Sequence, residues 1–214
     1  MQESIQECIG ECEYCAKRKI NQRRTKEIFI PRVSSEFQEQ LVMDVAYMEE
    51  ISGKKCVLVI VDRCSKFISL TALTRQDEDT IFLTLLHKWI YRYGKPKSIL
   101  SDRGRNFESQ SLRTKLSIFG IKQEFSSPYQ HQSNGLAERA IRTMRDLISS
   151  TLASGCVEKN WYQLLPRIEY IPHTTYQSAT GCTPFERVFG RRSNLHSTLK
   201  QNGEPRQCIL DSSN

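Results

Sequence analysis

The sequence predicts an α/β fold in which one mixed five-stranded sheet is flanked by helices. Three observations predict it. Apolar runs at residues 41–46, 56–62 and 67–73 follow one another through short connections, as in an antiparallel meander. Two further short runs, at 97–101 and 121–125, alternate with stretches of helical period, which adds strands and covering helices to the same sheet. Finally, 214 residues with 38% hydrophobic content are enough for one domain with a real core plus flanking arms.

Each element has its own justification. The 41–46 run is interrupted by Asp44. The 56–62 run is continuously apolar, as in a central strand buried on both faces, and Ser52-Gly53 supplies the turn before it. Residues 77–93 place Ile81, Leu85 and Trp89 beside Phe82, Leu86 and Ile90 on one broad helical face, and Gly94 with Pro96 stops that helix. A short strand at 97–101 leads into the loop Arg103-Gly104-Arg105. A helix is expected over 106–119, ended by Gly120, then the strand at 121–125 and a polar loop over 126–134. The helix at 135–152 carries Leu136, Ala140, Met144, Leu147, Ile148 and Leu152. A last long helix is expected over 158–175, opened by Trp161 as a core residue, and a short one starts near Thr183. The predicted order is β-β-β-α-β-α-β-α. The core is expected over 38–192, between a cysteine-bearing basic segment (1–32) and a polar tail (193–214).

A formal charge of +7 favours polyanionic partners such as nucleic acid. Residues 17–32 hold seven Lys and Arg against one Glu, and read as a solvated arm able to track phosphates. No apolar stretch reaches the ~18 residues needed to span a membrane, and the first ten residues are polar and acidic, so no membrane partner is expected. The eight cysteines are mostly scattered and read as reduced thiols.

Asp44, Asp102 and Glu138 carry the chemistry. Asp44 lies inside an apolar strand, Asp102 ends one, and Glu138 opens an amphipathic helix, with 35 residues between the second acid and the third. An isolated buried carboxylate costs several kcal/mol, and three brought together repel one another unless they share a cation. Oxygen-only ligation suits Mg²⁺ or Mn²⁺. If the first and fourth strands are neighbours, Asp44 and Asp102 converge at one sheet edge, and a helix crossing that edge delivers Glu138.

Several ordered blocks resemble a known family: VIVDRCSK (59–66), YGKP (93–96), SDRGRNF (101–107), SPYQHQSNGLAER (127–139) and TGCTPFERVFGR (180–191). With the three acids they resemble the ribonuclease H-like catalytic core of retroviral and retrotransposon integrases, most closely those of gypsy-type long-terminal-repeat elements. Departures occur after Asp44, where Val45-Ala46-Tyr47 stands in place of an aromatic and a Gly-Pro, and upstream of the distal block, at Pro172-His173 and Gln177.

The resemblance implies metal-dependent DNA cleavage and strand transfer by phosphoryl transfer, with Asp44, Asp102 and Glu138 as catalytic ligands of two Mg²⁺ or Mn²⁺ ions when DNA is bound. Asp44 would bridge the ions, with Asp102 and Glu138 holding one each. The loop residues Tyr129, Gln130, His131, Gln132 and Asn134 are expected to contact a DNA end, His131 by positioning it. Arg139, Arg142 and Arg145 follow Glu138 along its helix, either as a solvated face paired with acids or as phosphate contacts. His87 is expected to be structural. Cys12 and Cys15 resemble the second half of a His-His-Cys-Cys zinc module. No His precedes them, so even with Cys8 as a third ligand Zn²⁺ is not expected in this chain. The chain therefore reads as an incomplete copy or one beginning inside a larger polyprotein. The implied partners are double-stranded DNA, as element ends and target, and further copies in a homodimer or higher oligomer. The implied location is the nucleus, and cytoplasmic particles of the element. The alternative is a degenerate or host-adopted copy that binds DNA or protein without catalysis.

Overall fold

In a computed structural model of the chain, the described residues are 36–126, 135–153 and 160–194. The chain divides after Arg32 into two units, and every described residue lies in the second. The expected zinc-module remnant, with Cys8, Cys12 and Cys15, lies outside the described residues.

Strand β1 (Gln40–Ile51) runs antiparallel to β2 (Lys54–Asp62), which runs antiparallel to β3 (Ile68–Leu73). β1 extends well past the predicted 41–46. At the hairpin tip Ser52 and Gly53 both take positive φ, 52° and 74°, the mirror-image turn whose twist matches paired strands. The ladder therefore reaches Ile51↔Lys54, with a register irregularity between Tyr47 and Ile51. β2 lies between β1 and β3, and its residues from Cys56 to Asp62 are all buried, as its unbroken apolar run requires. The turn into β3 is closed by Asp62, fully buried, which accepts from the Ser65 N–H (2.6 Å), the Ser65 hydroxyl (2.7 Å) and the Gln38 N–H (3.0 Å).

The predicted 77–93 helix has the expected extent but not uniform winding. Asp77 caps α1 (Glu78–Leu85), a wider π turn follows at Leu86–Ile90, and a final turn, α2 (Tyr91–Tyr93), ends at Gly94. The π turn keeps Trp89 buried, with its Nε1 donating to Gln38 Oε1 at 3.0 Å. β4 (Ser98–Ser101) is followed by α3 (Gln110–Ile118) and β5 (Lys122–Phe125). The predicted start of α3 at 106 is corrected to Gln110. Ser109 accepts from the Leu112 N–H and caps the helix, while the preceding turn buries Phe107 and aims Asn106 at Gln76. Then come α4 (Gly135–Ala153), α5 (Trp161–Thr174) and α6 (Pro184–Phe189), the last opened by a Thr183–Glu186 capping box.

The sheet order is β3-β2-β1-β4-β5, with β4 and β5 parallel to β1. One face packs Leu41, Met43, Leu58, Ile60 and Ile99 against α1, the π turn and α3. On the other, Val57, Val59, Val61, Ile68 and Leu70 meet Met144 and Ile148 of α4 and Trp161, Leu164, Leu165 and Ile168 of α5. α5 contains Pro166 and Pro172, and burial of its four apolar residues outweighs the backbone hydrogen bonds they remove. Along α4 the buried residues are Ala137, Met144 and Ile148. Leu152, predicted on the apolar face near the helix end, is 38% exposed.

A candidate metal and nucleic-acid site

The register between β1 and β4 brings the two aspartates level. Gln40 pairs with Ser98, Leu41 with Ile99 and Val42 with Leu100, each an offset of 58 residues, and the same offset separates Asp44 from Asp102. Side chains alternate along a strand, so Asp44 shares a face with Val42, and Asp102, just past β4, continues the side of Leu100. On that face Val42, Leu100 and the fully buried Ala137 form one small apolar cluster. Ala137 thereby pins the first turn of α4 over the two strands, and the next residue is Glu138. The helix start also offers Glu138 the positive end of the helix dipole.

The electrostatics agree with this convergence. Asp44 is pushed up to about 6, first by burial; the Val45 N–H and Arg145 oppose the rise, and the charges of Asp102 and Glu138 add to it. Its Oδ1 accepts from the Val45 N–H at 2.7 Å, and Asp102 Oδ1 accepts from the Gly104 N–H at 3.0 Å. Among the described residues no three His, Cys, Asp or Glu side chains are gathered as a metal would hold them. The acids are neighbours by strand register and charge, with two of them turned onto backbone donors.

Glu138 lines a cleft of about 390 Å³ with Val45, Tyr47, Arg142, Arg145 and Asp146. Arg145 also donates to the Tyr47 carbonyl at 3.2 Å, tying α4 to β1 beyond the point where β4 ends. Arg142 and Arg145 thus share the face of Glu138, while the exposed Arg139 is outside that cleft and within electrostatic reach of Lys66. Tyr129, Gln130, His131, Gln132 and Asn134 lie outside the described residues. His87 is exposed and meets Tyr91 edge-on, with ring centroids 5.4 Å apart. Cys56, Cys64 and Cys182 are buried and unbridged, as reduced thiols should be.

Two features here went unread in the sequence. Gly104 leaves room for the Asp102 carboxylate, since a Cβ there would lie 3.0 Å from Asp102 Oδ1; a glycine two residues after a strand-end acid was the available signal. His173 lies 3.7 Å above Phe67, stacked at 9°, with Nε2 within 2.8 Å of the Ile68 carbonyl. Burial lowers it to about 4, so it is a neutral core residue, and nothing in a lone His after proline announced that.

Residues 35–131 match the integrase core domain family. That stretch is similar to integrase core domains of the retrotransposon and retroviral type. Over 194 residues it is 27% identical to the Transposon Tf2-3 and Tf2-4 polyproteins of Schizosaccharomyces pombe, covering 88% of this chain. It spans only 14% of the length of those relatives. Among solved structures, the catalytic core domain of HTLV-2 integrase in complex with magnesium superposes with a TM-score of 0.61 at 20% identity, covering 73% of this chain and 99% of that one. The catalytic core domain of BIV integrase gives 0.58 at 21%, covering 72% and 95%. At such identity the likeness is one of fold, and it bears out the expected ribonuclease H-like architecture. Among the described residues no helix is long and apolar enough to cross a membrane.

Proposed function

We propose that this chain is an integrase core that catalyses divalent-metal-dependent cleavage and strand transfer of DNA, with Asp44, Asp102 and Glu138 as its catalytic residues. The observation that carries the reading is the shared offset of 58 residues, which levels Asp44 with Asp102 beneath a helix start pinned by Ala137. The donor set fits Mg²⁺ or Mn²⁺: three carboxylates, one of them destabilised as an anion by burial and by the other two. Such ions supply Lewis acidity and lower the pKa of an attacking hydroxyl. The protein's own contribution is to position. β1 and β4 fix the two aspartates, Val45 and Gly104 orient their carboxylates, and α4 carries Glu138 with Arg142 and Arg145 beside it for phosphates. The Tyr129–Asn134 segment would hold the DNA end, with Arg139 a further phosphate contact. The magnesium bound to the HTLV-2 core supports the choice of metal. Element ends and target DNA, a homodimer or higher oligomer, and a location in the nucleus and in cytoplasmic particles of the element belong to the same reading.

The test is a gel assay on a labelled branched DNA mimicking the joined product, run with Mn²⁺, with EDTA, and with Glu138→Gln. Strand resolution should need the metal. It should fall by roughly two orders of magnitude or more in the variant, the scale of several kcal/mol of lost transition-state stabilisation. Resolution that persists in EDTA or in Glu138→Gln would reject the assignment. DNA binding with no resolution would instead favour the host-adopted, non-catalytic alternative.

A further inference from the structure

Beside Asp102, on the α3 side of the sheet, two arginines share one aromatic ring. The guanidinium carbon of Arg103 lies 5.6 Å from the centroid of Phe125, and that of Arg113 lies 5.8 Å from it. Both arginines are exposed, whereas Phe125 is half-buried and packs against the α1–α3 side of the core. The ring is a fixed platform. Phe125 ends β5 in register with Ser101, and the next N–H, of Ser126, donates to the Ser101 carbonyl at 2.9 Å. Phe125 therefore stands one strand over from β4, level with the residue just before Asp102. Arg103 is delivered by the turn that the Gly104 N–H closes on Asp102, and Arg113 by the first half of α3.

Two guanidinium groups held on one ring repel each other, and a phosphate between or beside them relieves that repulsion through forked hydrogen bonds. Glu108 answers Arg103 at 3.4 Å, but this is an exposed contact of the kind that contributes little. Arg105, two residues further on and also exposed, adds a third cation. The cleft with Arg142 and Arg145 belongs to α4, on the other face of the sheet, so basic groups flank the acids on both sides.

We infer that Arg103 and Arg113, seated on Phe125, contact the phosphate backbone of duplex DNA on the β5 side of Asp102, in a contact area separate from the Arg142–Arg145 cleft. The inference rests on the reading of this chain as one that acts on DNA, and gives that site a second wall.

The test is fluorescence anisotropy of a labelled duplex of arbitrary sequence, titrated with the full chain across a salt series. Arg103→Gln and Arg113→Gln should each flatten the slope of log K against log salt by roughly 0.9, and the double variant by about 1.8. Phe125→Leu should weaken binding less than the double variant, with most of the slope kept, because the charges remain. Arg92→Gln, on α2, should match wild type, and thermal melting of each variant checks its folding. Wild-type affinity and slope in a folded double variant would overturn the inference, as would a wild-type chain that binds no duplex. The same proteins run on the branched substrate separate the two ideas. A chain that binds duplex through these arginines but resolves nothing sinks the catalytic reading alone. Resolution at the wild-type rate with an unchanged slope in the double variant sinks the contact alone.

Discussion

Glu169 should destabilise this protein at neutral pH and above, and removing its charge should show by how much. The residue lies on α5 facing β3, where the Ser69 hydroxyl and the Leu70 N–H donate to it and Arg92 and Lys88 lie within electrostatic reach. Burial outweighs all of these and pushes the carboxyl up to about 7 from its ordinary 4.5; on the same side, the charge of Glu169 adds to the rise that burial imposes on Tyr93. Between those two pH values the folded chain keeps a proton that the unfolded chain surrenders. The contribution is therefore fully present below pH 4.5 and is lost as pH rises through 7. At about 1.4 kcal/mol per pH unit, discounted for partial solvent access, the ionised carboxylate costs the fold about 2 kcal/mol at pH 8. Glu169→Gln keeps an oxygen acceptor for Ser69 and Leu70 and removes the charge. Urea unfolding followed through the buried Trp89 and Trp161 should show a midpoint about 1 M higher at pH 8, given an m-value near 2 kcal/mol/M, and almost no difference at pH 4.5. Asp44, raised like Glu169, and His173, lowered and so working in the opposite direction, are common to both proteins and cancel in the comparison. A variant with an unchanged or lower midpoint at pH 8, or with an equal gain at both pH values, would refute the reasoning.

Two other substitutions probe the joints of the fold. Ala137→Leu forces extra volume between Val42 and Leu100, so it should cost about 1–3 kcal/mol in urea unfolding and lift Glu138 away from the aspartates. Strand resolution by the still-folded variant should then fall at least tenfold, a factor worth about 1.4 kcal/mol of barrier; full activity would mean that this contact does not set the position of Glu138. Asp62→Ala strands the Gln38 and Ser65 N–H donors at a buried turn and should cost about 2–4 kcal/mol, with Asp62→Asn retaining part of that. A loss under about 0.5 kcal/mol, the range of ordinary surface changes, would show that water satisfies the turn instead.

What the sequence made legible was whatever period and punctuation encode. The unbroken apolar run of β2 announced a strand covered on both faces, and Gly94, Gly120 and the Ser52-Gly53 pair marked real ends and turns. The levelling of Asp44 with Asp102 was readable only as a condition on strand adjacency, because nothing local says that β1 rather than β2 or β3 lies beside β4. The start of α3 was misread because Asn106 and Phe107 suit a first helical turn; the Ser109 cap and the burial of Phe107 decided otherwise. The π turn at Leu86–Ile90 has no signature of its own, since its apolar spacing passes for α-helix until Trp89 must reach Gln38. Nothing in the sequence around Glu169 marks it, and only the packing of α5 on β3 makes it costly.

The way α4 and α5 cover the sheet has a practical bearing on how much chain an experimenter must express. The match to the integrase core domain family ends at residue 131, yet Val57, Val59, Val61, Ile68 and Leu70 pack against Met144, Ile148 and the Trp161–Ile168 stretch. A clone trimmed to the matched boundaries would present that whole side of the sheet to solvent as bare hydrocarbon. It should aggregate, and because it also ends before Glu138 its inactivity would not separate lost folding from a lost carboxylate. The shortest fragment worth making runs through Ile168 and, to keep the ring of His173 over Phe67, on to the end of α5.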